Sequence, residues 1–299
     1  MKAARWRAHE GSAVARASRY NPPSMNHLDL AVLGGGNMGR ALIGGLLRQG
    51  LRPERLAVGE RGEAARAALE REFGVAATTY NAAAVRTAKV VVVAVKPQHV
   101  NEVLQPLAET FARTRPLVVC VAAGIRVAAL QQWCGPEVPV VRAMPNRPAL
   151  LGAGVTGLYV PEGITAAHAQ LAEQVLRSVG EVVRVESEAA LDVVTALSGS
   201  GPAYFFLLAE LMAEAGTALG LSTQAARTLS VGTLHGAGEL ARSGDGDLAR
   251  LRAEVTSKGG TTEAALRTFA TAGLDQIVSR AVAAAAQRSR ELADQYGAA

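Results

Sequence analysis

Leu28-Asp29-Leu30-Ala31-Val32-Leu33 runs directly into Gly34-Gly35-Gly36-Asn37-Met38-Gly39, and helix-compatible residues follow from Arg40 to Leu47. An apolar run that feeds a G-x-G-x-x-G turn and then a helix predicts the first βα unit of a dinucleotide-binding sheet. Each glycine has its own task there. Gly34 allows the tight turn, Gly36 lets the backbone approach a pyrophosphate, and Gly39 lets the helix pack closely on the strand. The helix N-terminus, with Asn37 and Met38, then presents free N–H groups to phosphates. Glycine-rich turns often only turn, so the surrounding sequence has to carry the reading.

It does. Leu56 to Gly59 reads as the second strand and ends at Glu60-Arg61. A carboxylate at this place usually takes ribose hydroxyls and favours NAD, whereas an arginine can take a 2′-phosphate and favours NADP. The two stand side by side, so both readings stay open, as does Arg61 capping a solvated loop. A helix is expected over Glu63 to Phe73. Lys89 to Val95 is a continuous apolar strand, as a parallel sheet covered on both faces requires. It stops at Lys96-Pro97. Ligands bind at the carboxyl ends of such strands, which puts Lys96 where a cofactor ribose would lie, a solvated strand-end lysine being the alternative. Leu117 to Val121 ends in Ala122-Ala123-Gly124, small enough for a flat ring to approach. Val138 to Arg142 leads to Ala143-Met144-Pro145-Asn146. Val155 to Val160, a helix from Thr165 to Val179 and Glu181 to Val185 extend the sheet. The alternation predicts a Rossmann-like, right-handed, doubly wound α/β domain over 25–187.

From Glu188 strands disappear. Leu191 to Leu197 is helical in pattern and Ser198-Gly199-Ser200-Gly201-Pro202 interrupts it. Further helices are expected over Ala203 to Gly220, Gln224 to Ser243, Leu248 to Glu254, Glu263 to Ala272 and Leu274 to Gln295. Several are apolar on more than one face, so an all-α dimerisation domain over 188–299 and a homo-oligomer are expected.

Composition narrows the classes. Of 299 residues, 49% are hydrophobic and 19% charged, which excludes a disordered chain or a charged coiled coil. Aromatic residues are only 4%, too few for base-stacking platforms. No uninterrupted apolar run approaches the ~20 residues of a membrane span. Two cysteines, Cys120 and Cys134, cannot build a disulfide framework, and Cys120 reads as a small core residue. The net charge of +5 is concentrated in residues 1–24, where five cations face Glu10 alone, so the body is nearly neutral. Neither a nucleic-acid partner nor a membrane is expected, and the compartment reads as cytoplasmic. Residues 1–24 read as a disordered tail or an upstream start codon, with an Arg-rich transit peptide as the alternative.

The chemistry turns on proton handling. Oxidising an alcohol needs a base near the hydroxyl. Ser198 to Phe206 contains none, and His99 and His235 read as surface or packing residues. Cofactor cradle and small hydroxyls without a base suit reduction of a C=N bond, whose nitrogen can arrive protonated. Ser257-Lys258-Gly259-Gly260-Thr261-Thr262 fits that task. Two glycines before a helix offer convergent N–H groups for a carboxylate, and the Thr262 hydroxyl can reach a substrate nitrogen. The plainer alternative is a turn whose Thr261 or Thr262 caps the helix.

Five segments together resemble the pyrroline-5-carboxylate reductases: Gly34–Gly39, Ala94-Val95-Lys96-Pro97, Arg142–Asn146, Ser198–Phe206 and Val255–Leu266. The last is the specific one; the first is shared by many dehydrogenases. The resemblance implies hydride transfer from NADPH, or NADH, to 1-pyrroline-5-carboxylate, giving L-proline. It implies that Gly34, Gly36, Asn37, Met38 and Gly39 hold the pyrophosphate. Ala94, Lys96 and Pro97 would line the nicotinamide riboside, and Ala122, Ala123 and Asn146 would lie near the ring, with Arg61 on the cofactor as well. Ser257, Lys258, Gly259, Gly260, Thr261 and Thr262 would bind substrate, Thr262 being the catalytic residue at the imine nitrogen. No metal is implied. The family forms dimers, commonly assembled into decamers. Arg147 and Lys258 depart from its pattern, where Thr and Pro are usual.

Overall fold

Runs such as Val90-Val91-Val92-Val93 can only be strands buried on both faces, and they form the centre of an eight-stranded sheet. The protein is described by a computed structural model covering residues 28–244 and 246–297. The expected tail over 1–24 lies outside the described residues. The strands are β1 (Leu30–Leu33), β2 (Leu56–Gly59), β3 (Ala76–Thr78), β4 (Val90–Val93), β5 (Leu117–Cys120), β6 (Val140–Met144), β7 (Gly154–Tyr159) and β8 (Gly180–Val185). Their order is β3-β2-β1-β4-β5-β6-β7-β8. The order reverses between β1 and β4, the switch point beside which such sheets bind nucleotides.

Period-two alternation divides the core into two layers. Leu30, Val32, Val90 and Val92 join the cluster under the helices Asn37–Arg48 and Ala166–Arg177. Ala31, Leu33, Val91 and Val93 face the opposite cluster, with Phe111, Leu130 and Trp133. Cys120 and Cys134 are buried in this second layer as free thiols. Burial pushes their pKa values up to about 11 and about 12, so at neutral pH neither is a thiolate.

Two features of the sheet were not legible in the sequence pattern. β3 is only Ala76–Thr78, too short to register as an alternating run. β7 is antiparallel to β6, because the link through the turn Arg147–Leu151 is too short for a crossover helix.

Among the described residues, 28–203 and 277–297 form one compact unit, and 204–244 with 246–276 form a second. In the first, a buried polar cluster anchors the segments beyond β8. Asp192, 2% exposed, accepts from Arg126 at 2.8 Å and from the Ser289 hydroxyl at 2.7 Å. Glu188 accepts from the buried Arg142 at 2.8 Å and from the Val127 N–H. Ala293 is buried, and Tyr296 packs on the second layer.

The expected break at Ser198–Pro202 is instead a π turn over Thr195–Gly199 that leads straight into the helix Gly201–Ala218. Ser200 N–H donates to Thr195 O at 2.8 Å. Pro202 has no N–H to give to the carbonyl four residues back. That carbonyl, Ser198 O, accepts from the Asn146 carboxamide at 3.2 Å, so the turn proceeds with its acceptor satisfied.

The second unit is helical: the rest of Gly201–Ala218, then Thr223–Ser243, Leu248–Glu254, and Thr261–Thr271. Ser222 and Asp247 cap two of these helices through their side chains. The continuous helix Ala190–Ala218 holds an 18-residue stretch of mean hydropathy 1.3, long and apolar enough to cross a membrane by length and composition. A search for uninterrupted apolar runs missed it because Asp192, Glu210 and Glu214 punctuate the stretch.

Candidate active site

The glycine turn is built as its spacing demands. Gly34 sits at φ +105°, and a Cβ there would lie 2.8 Å from the Ala94 carbonyl. A Cβ on Gly39 would lie 2.0 Å from Gly34 O. Gly36 is the opposite case: no atom lies within 4 Å of its would-be Cβ. The backbone is therefore crowded from behind and open in front, the shape a pyrophosphate needs. Gly36 caps the helix Asn37–Arg48 without a side-chain bond, so the first N–H groups remain available. Asn37 and Met38 start that helix.

A cavity of about 280 Å³ opens beside this turn, lined by Gly34, Gly36, Glu60, Arg61, Lys96 and His99 among others. Ala94 also lines it, and Pro97 begins the turn Pro97–His99. Ala122 and Ala123 follow β5, and Asn146 follows β6. These strands run parallel to β1, so all three positions lie along the same carboxyl edge of the sheet, outside the cavity. The open cradle, edge cavity and cationic lining fit a nicotinamide dinucleotide.

The Asn146 carboxamide is fully engaged. It donates to Ser198 O and Oγ, both at 3.2 Å, and accepts from Val155 N–H at 3.0 Å. Its side chain locks the π turn to the sheet, which leaves its backbone as the part available to a ring.

Within the helical unit, the loop Ser257–Gly260 precedes the helix Thr261–Thr271. Gly260 is the cap and no side chain caps the helix, so Thr261 and Thr262 do not serve that end. Gly259, at φ +71°, donates to the Glu263 carboxylate at 2.6 Å, and Gly260 donates to Ser257 O at 3.0 Å. The two glycine N–H groups are thus spent on the loop itself. The free donors are the N–H groups of the helix's first turn, at Thr261 and Thr262. Among the described residues the Thr262 hydroxyl has no hydrogen-bond partner, and Ser257 and Lys258 are exposed. Glu263 is a residue that sequence reasoning left without a role. Its place as third residue of the helix, the acidic position of a capping box, was the available signal.

No group of three or more metal-ligating side chains occurs among the described residues. A mostly parallel sheet with a glycine turn at its switch point defines a dinucleotide-binding oxidoreductase of Rossmann type. The comparisons with known proteins agree. Residues 29–124 match the family described as NADP oxidoreductase coenzyme F420-dependent, and 188–292 match pyrroline-5-carboxylate reductase dimerisation. A pyrroline-5-carboxylate reductase of Pseudomonas aeruginosa is 46% identical over 268 residues, covering 90% of this chain and 98% of that one. The structure of a pyrroline-5-carboxylate reductase from Coxiella burnetii superposes with TM-score 0.86 at 37% identity, covering 89% of this chain and 99% of that one. A Plasmodium falciparum pyrroline carboxylate reductase with NADP bound gives TM-score 0.78 at 26% identity, over 90% and 99%. The chain belongs to the pyrroline-5-carboxylate reductase family.

Proposed function

We propose that the chain reduces 1-pyrroline-5-carboxylate to L-proline with NADPH, NADH being the alternative donor, as the last step of proline formation. The observation that carries this reading is the Ser257–Thr262 loop, which offers a free hydroxyl and free N–H groups beside the exposed Lys258. Bound cofactor supplies the hydride that adds to the imine carbon. The chain's own residues bind and orient. Gly34, Gly36, Asn37, Met38 and Gly39 hold the pyrophosphate through backbone groups. Arg61, Ala94, Lys96 and Pro97 line the nucleoside path, and Ala122, Ala123 and Asn146 form the floor under the ring. The first-turn N–H groups of Thr261 and Thr262 take the substrate carboxylate, with Ser257, Lys258, Gly259 and Gly260 shaping the loop. The Thr262 hydroxyl hydrogen-bonds the ring nitrogen and fixes which carbon is presented. Positioning dominates, because a protonated imine needs little further proton transfer.

The dimerisation family matched over 188–292 supports a homodimer whose interface covers the exposed apolar helices. A decamer of such dimers and a cytoplasmic location complete the reading. Domain roles follow: cofactor on 25–187, dimerisation and substrate binding on 188–299.

The test is oxidation of NADPH and NADH by the purified protein with and without 1-pyrroline-5-carboxylate, followed by analysis for proline. Substrate-dependent oxidation yielding proline is expected. Protein that binds NADPH yet turns over no pyrroline carboxylate would overturn the substrate assignment.

A further inference from the structure

Glu60 and Arg61 leave the choice between ribose hydroxyls and a 2′-phosphate open in the sequence; their surroundings decide it. The Glu60 carboxylate is turned inward. One oxygen accepts from Gly35 N–H and the other from Gly62 N–H, both at 2.8 Å. It braces the glycine turn from the next strand, with each of its oxygens accepting one backbone N–H. Arg66 holds the same loop by donating to Glu60 O at 3.0 Å and Arg61 O at 2.8 Å. The backbone that carries Arg61 is therefore held on both sides.

The Arg61 side chain is exposed and forms no salt bridge among the described residues. Among the described residues its guanidinium lies beside His99, with Nη2 3.4 Å from Nε2. His99 in turn places Nδ1 3.0 Å from a carboxylate oxygen of Glu102. A carboxylate only accepts and a guanidinium only donates. The imidazole links the two when Nδ1 donates to Glu102 and Nε2 accepts from Arg61. Glu60, Arg61, His99 and Glu102 all line the cavity beside Gly36.

We propose that Glu102, His99 and Arg61 form a relay that presents the Arg61 guanidinium to the 2′-phosphate of an adenine dinucleotide, with His99 as positioning residue and Glu60 as brace instead of ribose ligand. This rests on the reading of the cavity as the adenosine end of the cofactor site. Arg61 uses one edge on His99 and keeps its other N–H groups for an oxyanion. A guanidinium already anchored loses less freedom when phosphate arrives. The Glu60 carboxylate, at the edge of the same cavity, is held in place by the Gly35 and Gly62 N–H groups.

The experiment is calorimetric titration of the full chain with adenosine 2′,5′-bisphosphate and, separately, with adenosine 5′-monophosphate. The wild-type protein is expected to bind the bisphosphate more tightly. Arg61→Ala is expected to weaken the bisphosphate by about 10- to 100-fold, the loss of charge-assisted hydrogen bonds, and the monophosphate by less than about twofold. His99→Ala is expected to weaken the bisphosphate alone, by about 3- to 10-fold, and His99→Gln, which restores an acceptor for Arg61, to recover most of it. Equal losses for both nucleotides in His99→Ala, or no recovery in His99→Gln, would overturn the relay. Wild-type protein that binds the two nucleotides equally would overturn the relay while leaving the cofactor site intact. Binding of neither nucleotide would overturn the cofactor-site reading, and the relay with it.

Discussion

The sheet unit and the helical unit treat apolar surface in opposite ways. In the first, Leu30 to Leu33 and Val90 to Val93 are at most 1% exposed, and two layers of helix cover both faces. In the second, Phe205 is 59% exposed, Phe206 60% and Leu207 55% on one long helix, and Leu229, Val231 and Leu240 continue the pattern on the next. One unit buries its central strands within a single chain. The other has the composition of a core without its second half, as expected of a dimerisation domain. The difference also separates two styles of site. The glycine turn is held by contacts from β2, β4 and Glu60, whereas the Ser257–Thr262 loop is exposed and held by its own residues.

The largest expected effect comes from charging the exposed apolar stripe. Burying a phenylalanine is worth roughly 1.5–3 kcal/mol, and both partners of a symmetric dimer would lose it. Phe206→Asp is expected to abolish the dimer in sedimentation analysis while the circular dichroism of the sheet unit survives. A variant that stays dimeric would break the comparison at its root. Next in size is Gly39→Ala. Its Cβ must displace Gly34 O from 2.0 Å, so the sheet unit should lose stability by about 2–4 kcal/mol and cofactor affinity with it. Denaturant unfolding and NADPH titration read the two losses, and wild-type values in both would show that the turn is less crowded than the geometry states.

Two smaller effects sharpen the assignment of substrate chemistry to the helical unit. Thr262→Ala is expected to lower kcat/KM for pyrroline carboxylate by about 1–3 kcal/mol, the value of one hydrogen bond, with NADPH binding unchanged. Wild-type activity would remove the hydroxyl from the mechanism. Lys258→Ala is expected to raise KM for pyrroline carboxylate by about two- to fivefold, since an exposed cation attracts a carboxylate only weakly. An unchanged KM would show that Lys258 serves solvent alone.

Legibility followed the range of the interactions. The βα turn, the buried valine strands and the loop before Thr261 are written in residues within a few positions of each other, and pattern reading finds them. β3 lacked the length to show a period. The reversal at β7 depends on a link too short for a crossover, a constraint of geometry that no residue type announces. Asn146 shows the same limit at the site. Its place after β6 pointed to the ring, yet its side chain is spent on Ser198 and Val155, partners 52 and 9 residues away.

Local chemistry alone therefore specified the glycine cradle, the all-helical second half and the absence of a base from Ser198–Phe206. Backbone sterics and hydrophobic periodicity act over a few residues and are visible in order along the chain. Tertiary structure alone decided that Glu60 turns inward to Gly35 and that Arg61 leans on His99. These are hydrogen bonds whose partners are set by how strands and loops meet in space, and a carboxylate reads the same in sequence whether it faces a ribose or a backbone amide.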